Sequence, residues 1–349
     1  MNKFFTSFFK QNPTQNPLPI DKNYFEGDFS NIDELSKAIN EKKYLEIRQY
    51  AHSNIPRKLR AHVWYSLLIR PKSANEIWCL VDENQKKQYW NDIETFQIES
   101  NDFLYSEDAN VIDWDVARTF PTKYEDIYQL QQIRNMLRRI LKLFLWNHPK
   151  GYFQGLNDIV SIIIMVLLDN VTKQQVNIII VDGLSENELN NIEATTYAFL
   201  DSIYRSLSVN IIGIEKDIHA IGLLNNFIEL LKVMNSKAID INQQFLKQQT
   251  WRWFVCLFCR EFSVERVIVI WDRFITDING NGFKAGILCF ACALIEDILS
   301  QAEDPNNMEE VNKITRNYCN DMSDETFIKI LNQSVYIREE YYQKFIYKN

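Results

Sequence analysis

Few spacings in this chain could do chemistry. Cys256 and Cys259 form one C-x-x-C and Cys289 and Cys292 another, the pattern by which thiolates hold tetrahedral zinc. Both pairs fall in apolar runs that read as helix, Trp251 to Phe262 and Gly286 to Leu299, where a spacing of three puts both sulfurs on one buried stripe. The better reading is cysteines packed as small hydrophobes, with no metal. The histidines, His52, His62, His148 and His219, form no H-E-x-x-H, and no serine occupies a G-x-S-x-G elbow. Neither glycine-rich phosphate cradle, G-x-G-x-x-G or G-x-x-x-x-G-K-[ST], occurs. What remains are two stretches without helical periodicity, of interest because functional groups concentrate on loops held by a rigid scaffold. The first, Ile112 to Pro121, carries Asp115, Arg118 and Thr119; the second carries Gly151, Tyr152, Gln154, Gly155, Asn157 and Asp158. Taken alone these residue types leave their role open, since a loop arginine is ordinarily solvated and a loop glutamine ordinarily a turn partner.

The elements that must hold these stretches are helical. In 349 residues there are 9 Gly and 8 Pro, with 46% apolar side chains, too little turn punctuation for an all-β chain. The fold class read from this is all-α. Residues 1–30, rich in Asn, Gln, Pro and Phe, read as a flexible lead-in, and 31–349 as one large irregular helical domain. After Ile55-Pro56, Leu59, Val63 and Leu67 mark a helix that ends at Pro71. Residues 83–100 read as a polar helix and 101–125 as irregular. Ile127, Leu130, Ile133, Leu137, Ile140, Leu141 and Phe144 mark a single long amphipathic helix that stops at His148-Pro149. The helix from Ile159 is apolar all round and therefore central, with Asn157 or Asp158 as its N-cap. Further helices are expected over 187–207, 222–234, 251–262 and 264–276, whereas Val176 to Val181 could be a strand.

Charge and hydropathy narrow the partners. Lys plus Arg is 38 against 46 Asp plus Glu, a net charge of −8, which argues against nucleic acid as a ligand. The apolar stretch Ile159 to Leu168, interrupted only by Ser161, is closed by Asp169 and falls short of the roughly 18–20 residues a bilayer requires. No transmembrane or signal segment is read, and the cysteine usage suits a reducing, cytoplasmic setting.

The two irregular stretches also carry a recognisable pattern. I-x-x-D-x-x-R-T at Ile112, Asp115, Arg118 and Thr119, followed by G-Y-x-Q-G-x-N-D from Gly151 to Asp158, resembles the TBC domain family of GTPase-activating proteins for Rab GTPases. Three further blocks agree in order: Ile55-Pro56-Arg57 with Leu59-Arg60 and Val63-Trp64, then Arg252-Trp253 through Arg260-Glu261-Phe262, then Trp271-Asp272. The resemblance spans 55–345, and its R-T-x-P and R-W blocks look most like a Golgi-associated subgroup. It departs from the family pattern at Asn54, where Gly is usual, and at Lys150, which stands alone between Pro149 and Gly151.

The resemblance implies an activator that supplies catalytic groups in trans: Arg118 as an arginine finger and Gln154 as a glutamine finger, with GTP and Mg²⁺ carried by the GTP-bound Rab partner and no cofactor of its own. Asp115 would hold the arginine, Tyr152 and Asn157 would fix the shape of the glutamine loop, and Thr119 is a further supporting residue. Gly151 and Gly155 would let that loop turn, while Asp158 would add to the helix start. Arg134, Arg138 and Lys142, at i, i+4 and i+8 on one helix face, are candidates to meet an acidic partner surface. Cytoplasmic location, peripheral at Golgi or other endomembranes, would follow. The alternative is a non-catalytic Rab-binding or scaffolding module that uses the same surface.

Overall fold

The computed structural model describes residues 31–52, 54–70, 81–99, 107–119, 124–148, 153–171, 184–207, 218–277 and 282–348. The lead-in over 1–30, the suggested strand at 176–181, and Gly151, Tyr152 and Lys150 lie outside them. The chain starts with α1 (Ile32–Asn40), α2 (Tyr44–Ala51) and α3 (Arg60–Leu68), followed by α4 (Glu83–Glu99), α5 (Glu107–Ala117) and α6 (Glu125–Gln129). The middle is α7 (Gln131–Asn147), α8 (Leu156–Val171), α9 (Glu186–Leu207) and α10 (Ile218–Val233). It closes with α11 (Gln243–Val255), α12 (Val264–Ile275), α13 (Gly282–Gln301), α14 (Met308–Asp321), α15 (Asp324–Ile337) and α16 (Gln343–Lys348). No strand occurs among the described residues, so the fold is all-α as read.

Two apolar helices organise the packing. On α8, Ile159 to Leu168 are buried on every side, the central placement expected of a helix with no polar face, and it packs against α3, α7, α9 and α12. The second is α13, buried along nearly its whole length between α9, α10, α12 and α15. Side-chain caps set several helix starts: Asn242 for α11, Ser263 for α12, Asn307 for α14 and Ser323 for α15 each accept from backbone N–H groups of the first turn. Among the described residues no helix is long and apolar enough to cross a membrane.

Four sequence expectations are corrected. Within 101–125, read as irregular, residues 107–117 form α5. Its buried stripe is helical in spacing (Ala109, Ile112, Asp115, Val116, Thr119), but two positions are polar, and Trp114 stands exposed on the other face. The hydrophobic pattern is thereby scrambled. The single helix expected over 127–144 is two, α6 and α7, broken at Leu130, which is extended at ψ 129°. One turned residue leaves the apolar periodicity intact, so the pattern conceals the break. The Arg134 side chain donates to the Tyr128 carbonyl across it at 3.0 Å.

Helix α8 starts at Leu156 rather than Ile159, so Asn157 and Asp158 lie within its first turn and neither is the cap. Finally, the run from Trp251 to Phe262 is helical only to Val255. Leu257 and Phe258 then take positive φ, 47° and 68°, in a turn with no glycine or proline to signal it. Packing enforces that strain: Phe258 stacks edge-on to Phe290 at 4.9 Å, and the Leu257 carbonyl accepts the Trp271 indole N–H at 3.0 Å.

Candidate functional site

Three chain segments meet at one cleft of about 650 Å³. Arg118 and Asp115 come from the end of α5, Gln154 and Asp158 from the start of α8, and Arg260 from the turn after α11; all five line it. The elements that sequence reading left as separate loops are therefore brought together by the fold.

The first wall is the C-terminus of α5. The helix closes with Arg118 N–H on the Asp115 carbonyl at 3.0 Å and Thr119 N–H on Val116 at 3.3 Å, the tighter bonds that satisfy terminal carbonyls. Buried Ile112 and Val116 face the core, which turns the Arg118 side chain, 62% exposed, towards solvent. Its terminal nitrogen donates to Asp115 Oδ1 at 2.5 Å, while Oδ2 of the same buried carboxylate has no hydrogen-bond partner among the described residues. Asp115 thus holds the arginine directly by its guanidinium end.

The second wall is the turn into α8. Gln154 is exposed, and Gly155 beside it has φ +118°, a conformation side chains rarely adopt. A Cβ on Gly155 would stand 2.5 Å from Cys256 Sγ, so close packing on the third segment also demands glycine there. Asn157, buried, donates from Nδ2 to Thr119 Oγ1 at 3.0 Å, and Thr119 in turn donates to the Asp115 carbonyl at 2.8 Å. The arginine segment and the glutamine segment are hydrogen-bonded to each other through this pair.

The third wall was not assigned to the site by sequence. Arg260 Nε bonds Asp158 Oδ2 at 2.6 Å, whereas Arg252 takes Glu261 at 2.5 and 2.9 Å. Burial pushes the Asp158 carboxyl above its ordinary range, and Arg260 opposes the rise. Nothing in a single sequence signals a contact over 102 positions. Cys259 also lines the cleft, and Cys256 lies beneath Gly155 with its thiol pushed by burial to about 12. Among the described residues no group of three or more His, Cys, Asp or Glu is placed to hold a metal ion.

The cations of α7 are engaged within the chain. Arg138 and Lys142 both bond Asp113 of α5, at 2.6 and 2.9 Å, and Arg134 bonds Tyr128 and Gln129. Arg138 and Lys142 thereby tie α5, the helix that ends beside Arg118, to α7, and Arg134 ties α6 to it.

The guanidinium of Arg118 and the carboxamide of Gln154 thus line one open cleft of an all-α fold. The Rab-GTPase-TBC domain profile matches residues 57–302, and the chain belongs to that family. It is 25% identical over 240 residues to TBC1 domain family member 22B of Homo sapiens, across 67% of this chain and 46% of that protein. It is 26% identical over 268 residues to the GTPase-activating protein GYP1 of Saccharomyces cerevisiae, across 72% of this chain and 40% of that one. The chain thus spans about half the length or less of these curated relatives. Among solved structures, the Ypt/Rab-GAP domain of Gyp1p superposes with TM-score 0.69 over 89% of this chain and 99% of that chain, at 20% identity, a likeness of fold.

Proposed function

We propose that this chain is a GTPase activator rather than a self-contained enzyme. It accelerates GTP hydrolysis by a GTP-bound Rab GTPase, to which it lends Arg118 and Gln154 in trans. The observation that carries the reading is that both side chains are exposed and line the same cleft. Phosphoryl transfer needs neutralisation of charge that builds between the β- and γ-phosphates, together with an in-line water; a guanidinium delivered in trans is worth roughly 10³–10⁵ in rate, about 4–7 kcal/mol. Arginine suits this because it stays charged and presents a planar donor fork. With one end of that fork on Asp115, the remaining donors open onto the cleft. The Gln154 carboxamide accepts a hydrogen bond from the attacking water and donates one towards phosphate, which positions the water without acting as a strong base. Nucleotide and Mg²⁺ come with the GTPase.

The test is single-turnover GTP hydrolysis over a panel of Rab GTPases with wild type, Arg118→Ala and Gln154→Ala. For at least one Rab, Arg118→Ala should lose on the order of 10³-fold or more of the acceleration, with Gln154→Ala also impaired. Acceleration of no Rab, or wild-type rates with Arg118→Ala, would refute the proposal.

A further inference from the structure

Helix α5 turns a narrow face to solvent through Glu107, Asn110, Trp114 and Ala117, ending at Arg118. Trp114 is 65% exposed. Trp146, the other exposed tryptophan among the described residues, packs on Phe96 with ring centroids 5.8 Å apart and is 36% exposed. A lone apolar side chain at a surface is ordinary; this one stands four residues from the finger arginine, a spacing that puts Cβ atoms about 5–6 Å apart on a helix. A protein surface that brings a triphosphate to Arg118 must therefore cover Trp114 as well.

We infer that Trp114 anchors the GTPase, burying its indole against an apolar patch next to the phosphates on the partner's nucleotide-bearing face. Tryptophan is the side chain most enriched among residues that dominate binding, and this one touches no reacting atom, so it sets affinity rather than the rate of the bound complex. The inference rests on the activator reading above.

The experiment is steady-state activation of the most responsive GTP-loaded Rab by wild type, Trp114→Ala and Trp114→Phe, with thermal midpoints and sedimentation of each. Trp114→Ala should raise KM about tenfold or more while kcat stays within about twofold. Trp114→Phe should recover part of the loss, and the midpoint should not move, because the side chain packs on little of its own chain. Unchanged KM for Trp114→Ala beside an active wild type overturns the anchor and leaves the activator reading standing. A fall confined to kcat also overturns it, as does a wild-type dimer that Trp114→Ala dissolves, which would give the indole to a second copy of this chain. A wild type that activates no Rab removes the underlying reading, and the anchor with it.

Discussion

Two arginine–aspartate pairs in this molecule use the same chemistry to opposite ends. Arg60 and Asp272 lie inside: Arg60 Nε bonds Asp272 Oδ2 at 2.9 Å, the Trp64 indole N–H takes the other oxygen at 2.7 Å, and the side chains are 13% and 2% exposed. Arg118 and Asp115 also pair, and Asp115 is as deeply buried as Asp272, but the cation is 62% exposed and, among the described residues, one carboxylate oxygen lacks a partner. The first pair closes its hydrogen bonds within the chain and joins α3 to α12. The second leaves its cation open at the cleft. Exposure of the cation, with its charge and motif status equal, separates the two pairs.

Asp272→Ala should break the scaffold side. It removes the carboxylate that pairs with the half-buried Arg60 guanidinium and accepts from the buried Trp64 indole N–H, and taking away one partner of such a pair costs about 3–5 kcal/mol. Urea unfolding should show that loss, while the fraction still folded at low temperature keeps its activation rate. The reverse result, intact stability with lost activation, would erase the distinction. Arg118→Ala should behave in the opposite manner, losing rate without losing stability.

A smaller effect sharpens the site side. Gly155→Ala meets both the positive φ and the Cys256 sulfur, so it should cost about 3 kcal/mol. It should also lower kcat more than it raises KM, because Gln154 is the adjacent residue. Adding Cys256→Ala removes the collision but not the backbone strain. In a double-mutant cycle the two changes should couple favourably by about 1–2 kcal/mol; additivity would mean that the sulfur does not constrain the loop.

How much of this was legible depends on the kind of signal. Helix α8 announced itself, because nine of the ten positions from Ile159 to Leu168, all but Ser161, are apolar and all ten are buried, and such a run has few other uses. Arg118 and Gln154 were named from the ordered motifs, and the fold supplies their common cleft. Helix α5 is hidden by its own polar contacts: Asp115 and Thr119 occupy its buried stripe, where they bond Arg118 and Asn157, and Trp114 occupies its solvent face, so each departs from the hydrophobic pattern used to find helices. The turn at Leu257 and Phe258 was missed because aromatic packing, rather than local residue preference, imposes the backbone there. The Arg260–Asp158 bond had no sequence signal, since a pairing between distant segments is set by the packing of α8 against its neighbours.

The last prediction tests whether acid attacks the scaffold side. His52, which follows α2, lies beside the C-terminal part of α12: its carbonyl accepts from Arg273, and its ring nitrogen is 3.5 Å from Thr276 Oγ1. Burial first, and the charge of Arg273 second, hold its imidazole down at about 3. The unfolded chain titrates this group near its ordinary value of roughly 6.5. Between those two values the unfolded state binds a proton that the folded state refuses, so folding stability falls as the pH drops, by about 1.4 kcal/mol per unit. Above about 6.5 neither state is protonated and the contribution vanishes. Between pH 7.5 and 5 wild type should therefore lose about 2 kcal/mol more than His52→Gln, which cannot titrate. Parallel stability curves for the two proteins would show that the imidazole gains its proton in the folded state as readily as outside it, and that the α2–α12 contact is open to water.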